Sequence, residues 1–174
     1  LTRGDIAELQ STISMPSPGD AGDRFGDSVA TDGMLFAAGA PGEDSDPYIE
    51  NTLPGDPPGP FDNSLPQSGA AYGQFGSVPL GFMKQENAFA CPSNTLSAEM
   101  DAYLGASISA EGDLVLAGAP GAKDCDDQET GGAFIFRYTT SGWEMVWLVM
   151  EEPDPFDYFG QSVAMKSYDF AVGA

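Results

Sequence analysis

The sequence predicts an all-β chain made of four-stranded antiparallel sheets stacked on one another. Three observations carry that expectation. The 174 residues include 22 Gly and 14 Pro, a proportion that suits short strands joined by turns and not helix bundles. A Gly followed thirteen positions later by Gly-Ala occurs three times, from Gly26 to Gly39, Gly105 to Gly118 and Gly160 to Gly173. Inside each of those intervals two short apolar runs flank a polar bend, the pattern of a β-hairpin.

The repeats begin Asp23-Arg24-Phe25-Gly26, Asp101-Ala102-Tyr103-Leu104-Gly105 and Asp157-Tyr158-Phe159-Gly160, and are read as aligned without gaps through their first half. In the first hairpin Ser28-Val29-Ala30 and Leu35 to Ala38 are strands joined through Thr31-Asp32-Gly33. In the second, Ser107-Ile108-Ser109 and Leu114 to Ala117 are joined through Ala110-Glu111-Gly112-Asp113. Gly at the bend supplies the positive φ of a tight turn. The strands are rich in Ala, Gly and Ser, which lets neighbouring sheets approach closely.

An acidic loop and a third strand follow each Gly-Ala-Pro. The first loop is long, Gly42 to Gln67, and leads into Gly69 to Phe75. The second is short, Gly121 to Thr130, and leads into Gly132 to Tyr138. A fourth strand is expected around Gly81 to Asn87 in the first unit and over Trp143 to Met150 in the second. Tyr72, Phe75, Trp143 and Trp147 are expected in the packing within or between sheets. The chain divides into the end of one unit (1–22), two whole units (23–100 and 101–156) and the first half of another (157–174). One four-stranded sheet cannot bury both of its faces alone, so the units must stack. Radial stacking of such blades is a β-propeller, of which this chain would be an arc. A β-sandwich is the rival, but it would not explain the constant spacing of thirteen.

At these landmarks the sequence resembles the FG-GAP repeat family, whose propellers form the heads of integrin α-chains and occur in many microbial surface proteins. Phe25-Gly26 with Gly39-Ala40-Pro41, Leu104-Gly105 with Gly118-Ala119-Pro120, and Phe159-Gly160 with Gly173-Ala174 carry the resemblance, which covers nearly the whole chain. It is closest to the microbial surface-protein subgroup. The third copy stops at Ala174, where the family would place Pro, so the protein is expected to continue as part of a larger chain or assembly. The family often holds calcium between the first two strands. Here those connections are Thr31-Asp32-Gly33, Glu111-Gly112-Asp113 and Lys166 to Asp169, too few oxygens for an ion that takes six to eight.

Charge narrows the partners. Twenty-seven acids against six bases and no His give −21, which repels nucleic acid and anionic membrane. Such a surface favours divalent cations, cationic partners or plain solubility. No apolar run is long enough to span a membrane. Lack of His removes the commonest general base, and nothing singles out a carboxylate pair for glycoside hydrolysis. The chain is therefore expected to be no enzyme.

The acidic loops are the functional candidates. Asp124, Asp126, Asp127 and Glu129 are expected to hold calcium, the alternating Asp124 and Asp126 turning oxygens toward one point; a solvated acidic loop is the alternative. Glu43-Asp44-Ser45-Asp46 is a weaker form of the same signal. Cys91 and Cys125 are expected to form a disulfide in an oxidising, extracellular setting, a closure contributing roughly 4 kcal/mol in the chain-entropy model; two buried thiols are the alternative. Arg3-Gly4-Asp5 spells an adhesion tripeptide that often occurs by chance. The expected role is a non-catalytic extracellular or cell-surface module recognising a protein or glycan. A subunit of a surface fibre and the accessory propeller of a secreted hydrolase are the alternatives.

Overall fold

The computed structural model describes residues 22–44, 66–77, 80–84, 101–123, 128–149 and 154–174. Ten strands and no helix occur among the described residues. Four form the first sheet in chain order: β1 (Ser28–Thr31), β2 (Leu35–Ala40), β3 (Ala70–Phe75) and β4 (Gly81–Met83). The second repeats that order with β5 (Ser107–Glu111), β6 (Leu114–Ala119), β7 (Gly132–Thr139) and β8 (Gly142–Val149). A third pairs β9 (Ser162–Lys166) with β10 (Asp169–Gly173). All pairings within the sheets are antiparallel. The described residues thus form a stack of three sheets and no closed ring. No helix among them is long and apolar enough to cross a membrane.

The spacing of thirteen has a direct cause. Gly26 N–H donates to the Gly39 carbonyl at 2.8 Å, Gly105 to Gly118 at 2.9 Å, and Gly160 to Gly173 at 2.9 Å. Each bond ties the start of a hairpin to its end, and the three hairpins pair in the same register from that bond to the turn, which sets the interval. The turns are shorter than expected in the second unit: β5 runs through Glu111 and leaves only Gly112 and Asp113 at the bend. In the third, Ser167 and Tyr168 take φ of 53° and 66°, the paired positive values of a hairpin turn whose twist matches the strands.

One alignment is corrected. Gly42 N–H donates to the Asp23 carbonyl at 3.1 Å, and Gly121 N–H to the Ala102 carbonyl at 3.1 Å. Asp23 therefore corresponds to Ala102, and Asp101 lies one residue earlier. Ala102 shows that the fold does not require a carboxylate at this position, although in the third repeat Asp157 uses its own to accept from Asp154 N–H at 3.0 Å.

The second sheet buries both of its faces, one against the first sheet and one against the third. β6 is buried along its entire length, an apolar run without alternation, as a strand covered on both sides requires. Val115 and Ala117 join Leu35, Ala37 and Met83 of the first sheet in one core, together with Leu104, Ile108 and Phe136. Leu114 and Leu116 point the other way, into a core with Phe159, Val163, Met165 and Val172 of the third sheet. Each such fully buried aliphatic side chain contributes about 1.5–3 kcal/mol. Trp143 packs beside the first core and lies across the first sheet, where Gly73 and Gly81 each leave room for its ring: a Cβ at either would fall 2.3 Å from an indole carbon. Its Nε1–H donates to the Gly73 carbonyl at 3.2 Å.

Hydrogen bonds also cross between sheets in parallel. Leu104 N–H donates to the Ser68 carbonyl at 3.1 Å, and Phe159 N–H to the Thr130 carbonyl at 3.1 Å. Each unit thereby docks the first residues of the next against the start of its own third strand.

Candidate functional site

Two regions gather chemistry-bearing side chains. The first is an open cleft of about 580 Å³ where the second sheet meets the third. Tyr103, Tyr158, Asp101, Glu129 and Gln161 line it with Pro120 and Gly121. Tyr103 and Tyr158 occupy corresponding positions of successive repeats at φ of 56° and 54°, and Arg24 takes 57° in the first. Left-handed backbone at non-glycine residues costs of order 1–3 kcal/mol each. Because it recurs in all three repeats, the conformation belongs to the turn. It recurs with a bond three residues on: Asp27 to Arg24, Ala106 to Tyr103 and Gln161 to Tyr158, at 3.1, 3.0 and 3.0 Å. The cleft uses side chains that this turn already projects. Gly121 packs directly on the Asp101 carbonyl, from which a Cβ would lie 2.0 Å.

Glu129 is held on the rim from both sides. Its carbonyl accepts from Phe156 N–H at 2.7 Å, and its backbone bridges to Lys123. Of the four residues expected to hold calcium it is the one described. Asp124, Asp126 and Asp127 lie outside the described residues, as do Cys91, Cys125 and Arg3-Gly4-Asp5.

The second region is acidic and buried. Carboxylate oxygens of Asp23, Glu43 and Asp44 lie within 4.8 Å of one another, with Asp23 and Glu43 buried. Glu43 Oε2 accepts from Tyr72 Oη at 2.9 Å. Burial, then the Glu43 charge and this bond, and then Asp23, raise the Tyr72 phenol far above the ordinary tyrosine range. The ring sits edge-on between Phe25 and Phe82 at 5.2 and 5.4 Å. The buried Lys84 places its ammonium 5.9 Å from the Phe82 ring centroid, within reach of a cation–π attraction.

The second unit has the same backbone without these groups. Gly69 N–H donates to the Glu43 carbonyl at 2.8 Å, and Gly131 N–H to the Ala122 carbonyl at 2.9 Å, so Ala122 stands where Glu43 does. By strand register, Phe134 corresponds to Tyr72, and Ala102 corresponds to Asp23. The fold is therefore satisfied by an apolar site at this place, and burying carboxylates instead costs solvation free energy. Three carboxylate oxygens are donors of the kind hard cations take, but fall short of the six to eight that calcium uses. Sequence reading noted Glu43 and Asp44 and missed Asp23, whose nearness to them depends on the Gly42–Asp23 backbone bond.

Comparison with protein-family models and with curated proteins finds no match.

Proposed function

We propose that this chain is an arc of an FG-GAP-type β-propeller acting as a non-catalytic recognition module outside the cell, with the cleft between its second and third sheets as the binding surface for a protein or glycan. The observation that carries this reading is the pairing of Tyr103 and Tyr158, presented by equivalent turns, with the carboxylates of Asp101 and Glu129 in one open cleft. Tyrosine supplies a broad apolar face with a polar edge at low conformational cost. Asp, Glu and Gln beside it offer acceptors for sugar hydroxyls or for a basic side chain. A net charge of −21 favours a cationic or neutral partner over an anionic one. Rigid repeats carrying variable loops are a common basis for recognition, and the repeated sheet-to-sheet bonds support the propeller reading.

The test is a binding screen of the purified chain against a glycan array and a set of basic peptides, repeated with Tyr158→Ala and Glu129→Gln. Binding that either substitution weakens without lowering the melting temperature supports the cleft. A ligand indifferent to both would remove it from the proposal.

A further inference from the structure

The junction between the first and second sheets has the same backbone frame as the cleft between the second and third, and carries different side chains. Leu104 N–H meets the Ser68 carbonyl as Phe159 N–H meets that of Thr130, so Glu129 stands where Gln67 does. The bonds from Asp27 to Arg24, Ala106 to Tyr103 and Gln161 to Tyr158 align the turns. Tyr103 of the cleft therefore takes the place of Arg24, and Gln161 that of Ala106. Asp101, which precedes Ala102, takes the place of Gly22, which precedes Asp23. In these places the first junction has a guanidinium, paired to Asp27 of its own turn, and no carboxylate. The second has two carboxylates and no base. The fold is thus built equally well without the acids of the cleft.

The charged groups that line the cleft are all acceptors. Asp101 is exposed and Glu129 half-buried, and among the described residues no Lys or Arg lines it. Lys123 meets Glu129 through the backbone and is not part of the lining. A neutral occupant would take water from two carboxylates without supplying a counter-charge, and an anion would be repelled. A cation supplies the charge, and the faces of Tyr103 and Tyr158 attract it further. The net charge of −21 draws cations to this surface before contact. Tyr103 is half-buried with all four strands of its own sheet in place, so the presentation of a ring by this turn belongs to a whole unit.

We propose that the cleft takes a basic side chain of a partner protein, its guanidinium or ammonium lying against the tyrosine rings with Asp101 and Glu129 as counter-charges and the Gln161 amide oxygen as a further acceptor. This rests on the cleft being the recognition surface, and narrows its ligand from a protein or glycan to a cationic segment of a protein.

Amide chemical shifts of the isotope-labelled chain test this, read at Gly121, Glu129 and Gln161. The probes are N-acetylarginine amide and N-acetyllysine amide, with N-acetylcitrulline amide as the uncharged counterpart of the first and methyl glucoside as a neutral sugar. Both cationic probes shift these amides saturably, and the two neutral ones bind at least about tenfold more weakly. Asp101→Asn with Glu129→Gln weakens the cationic probes at least about tenfold. Asp169→Asn with Glu144→Gln removes the same charge at the opposite ends of the strands and changes binding less than about twofold, since salt screens that distance. Equal effects of the two double variants would trace the attraction to the overall charge and overturn the proposal. Citrulline binding as tightly as arginine overturns it too. Methyl glucoside shifting the cleft amides where the cations do not overturns the basic ligand and leaves the cleft as a recognition surface. Probes that all leave these amides unmoved overturn the basic ligand, and the binding screen with Tyr158→Ala then decides whether the cleft recognises anything.

Discussion

The Asp32 carboxylate links two hairpins, accepting from Leu35 N–H at 2.8 Å in its own turn and from Gly112 N–H at 2.6 Å in the neighbouring sheet. A third bond comes from Met34 N–H at 3.0 Å. Asp fits this place because one oxygen caps the turn while the other reaches across. In the second unit Glu111 holds the corresponding position and reaches Ser167 N–H, a longer side chain making the same crossing.

Partial burial raises the Asp32 pKa, but the backbone bonds from Leu35, Met34 and Gly112 outweigh it and hold the group below the usual 3.8. A depressed folded-state pKa means stability present above about pH 3.8 and lost as the pH falls through the folded value. Asp32→Asn should therefore flatten the acid limb of a stability-against-pH curve. Urea midpoints of both proteins at neutral pH and below pH 4 are the measurement; equal acid losses would contradict the assignment.

At Gly39 the carbonyl of Gly105 occupies the space a side chain would need. Backbone cannot rotate aside as a flexible side chain can, so Gly39→Ala should separate the first two sheets. Overpacking costs about 1–3 kcal/mol in ordinary cores, and this site should reach the upper end or beyond. Ser28→Ala removes only the hydroxyl bond to the same carbonyl and should cost about 1 kcal/mol. Equilibrium denaturation that ranks Ser28→Ala as the more harmful would show that the close approach does not govern this junction.

The sheets were legible in the sequence because their landmarks are backbone requirements. Gly26, at φ 89°, and Gly39, pressed on a neighbouring carbonyl, are both places where another residue is strained or excluded, so both leave a mark at fixed spacing. The position of Asp23 left none, since the backbone bond it shares with Ala102 needs no particular side chain, and the leading acids misaligned the units by one. Nor could spacing reveal that Asp23 meets Glu43 and Asp44, or that Tyr72 shares their site. Those contacts are closed by tertiary packing around a buried point, and exposed acids look no different in sequence. The cleft was illegible for a similar reason: Glu129 read as a calcium ligand of its own loop, while Tyr103 and Tyr158 read only as part of the repeat pattern.

Tyr72 should be the residue that couples the acidic cluster to alkaline stability. Its phenol is raised by burial and by Glu43, so the folded state keeps the proton longer than the unfolded chain does. Stability is then full below about pH 10 and falls as the pH rises above it. Tyr72→Phe should abolish that fall, while costing roughly 1.5–3 kcal/mol at neutral pH for the lost bond to a carboxylate. Adding Glu43→Ala should recover part of the loss, because the pair then resembles Ala122 and Phe134 of the second unit. Chemical denaturation of the single and double variants decides it; a double variant less stable than Tyr72→Phe alone would mean that the carboxylate stabilises the fold by another route.

Trp143 supplies the last test, because its ring is shared between sheets. It lies over Gly73 and Gly81 of the first sheet, while its own strand belongs to the second. Tyr138 meets it edge-on at 5.3 Å and stacks on Phe75 of the first sheet at 5.4 Å. Trp143→Ala should lose about 3–5 kcal/mol, as expected for removing a large packed aromatic. Gly73→Ala should do comparable harm from the opposite side, since its new methyl enters the ring's place. Combined, the two changes should cost less than the sum of their separate effects, because the alanine methyl occupies part of the space the indole leaves. A double-mutant cycle measures this coupling directly; strict additivity would show that Gly73 and Trp143 act independently and that the first two sheets are held by the remaining core alone.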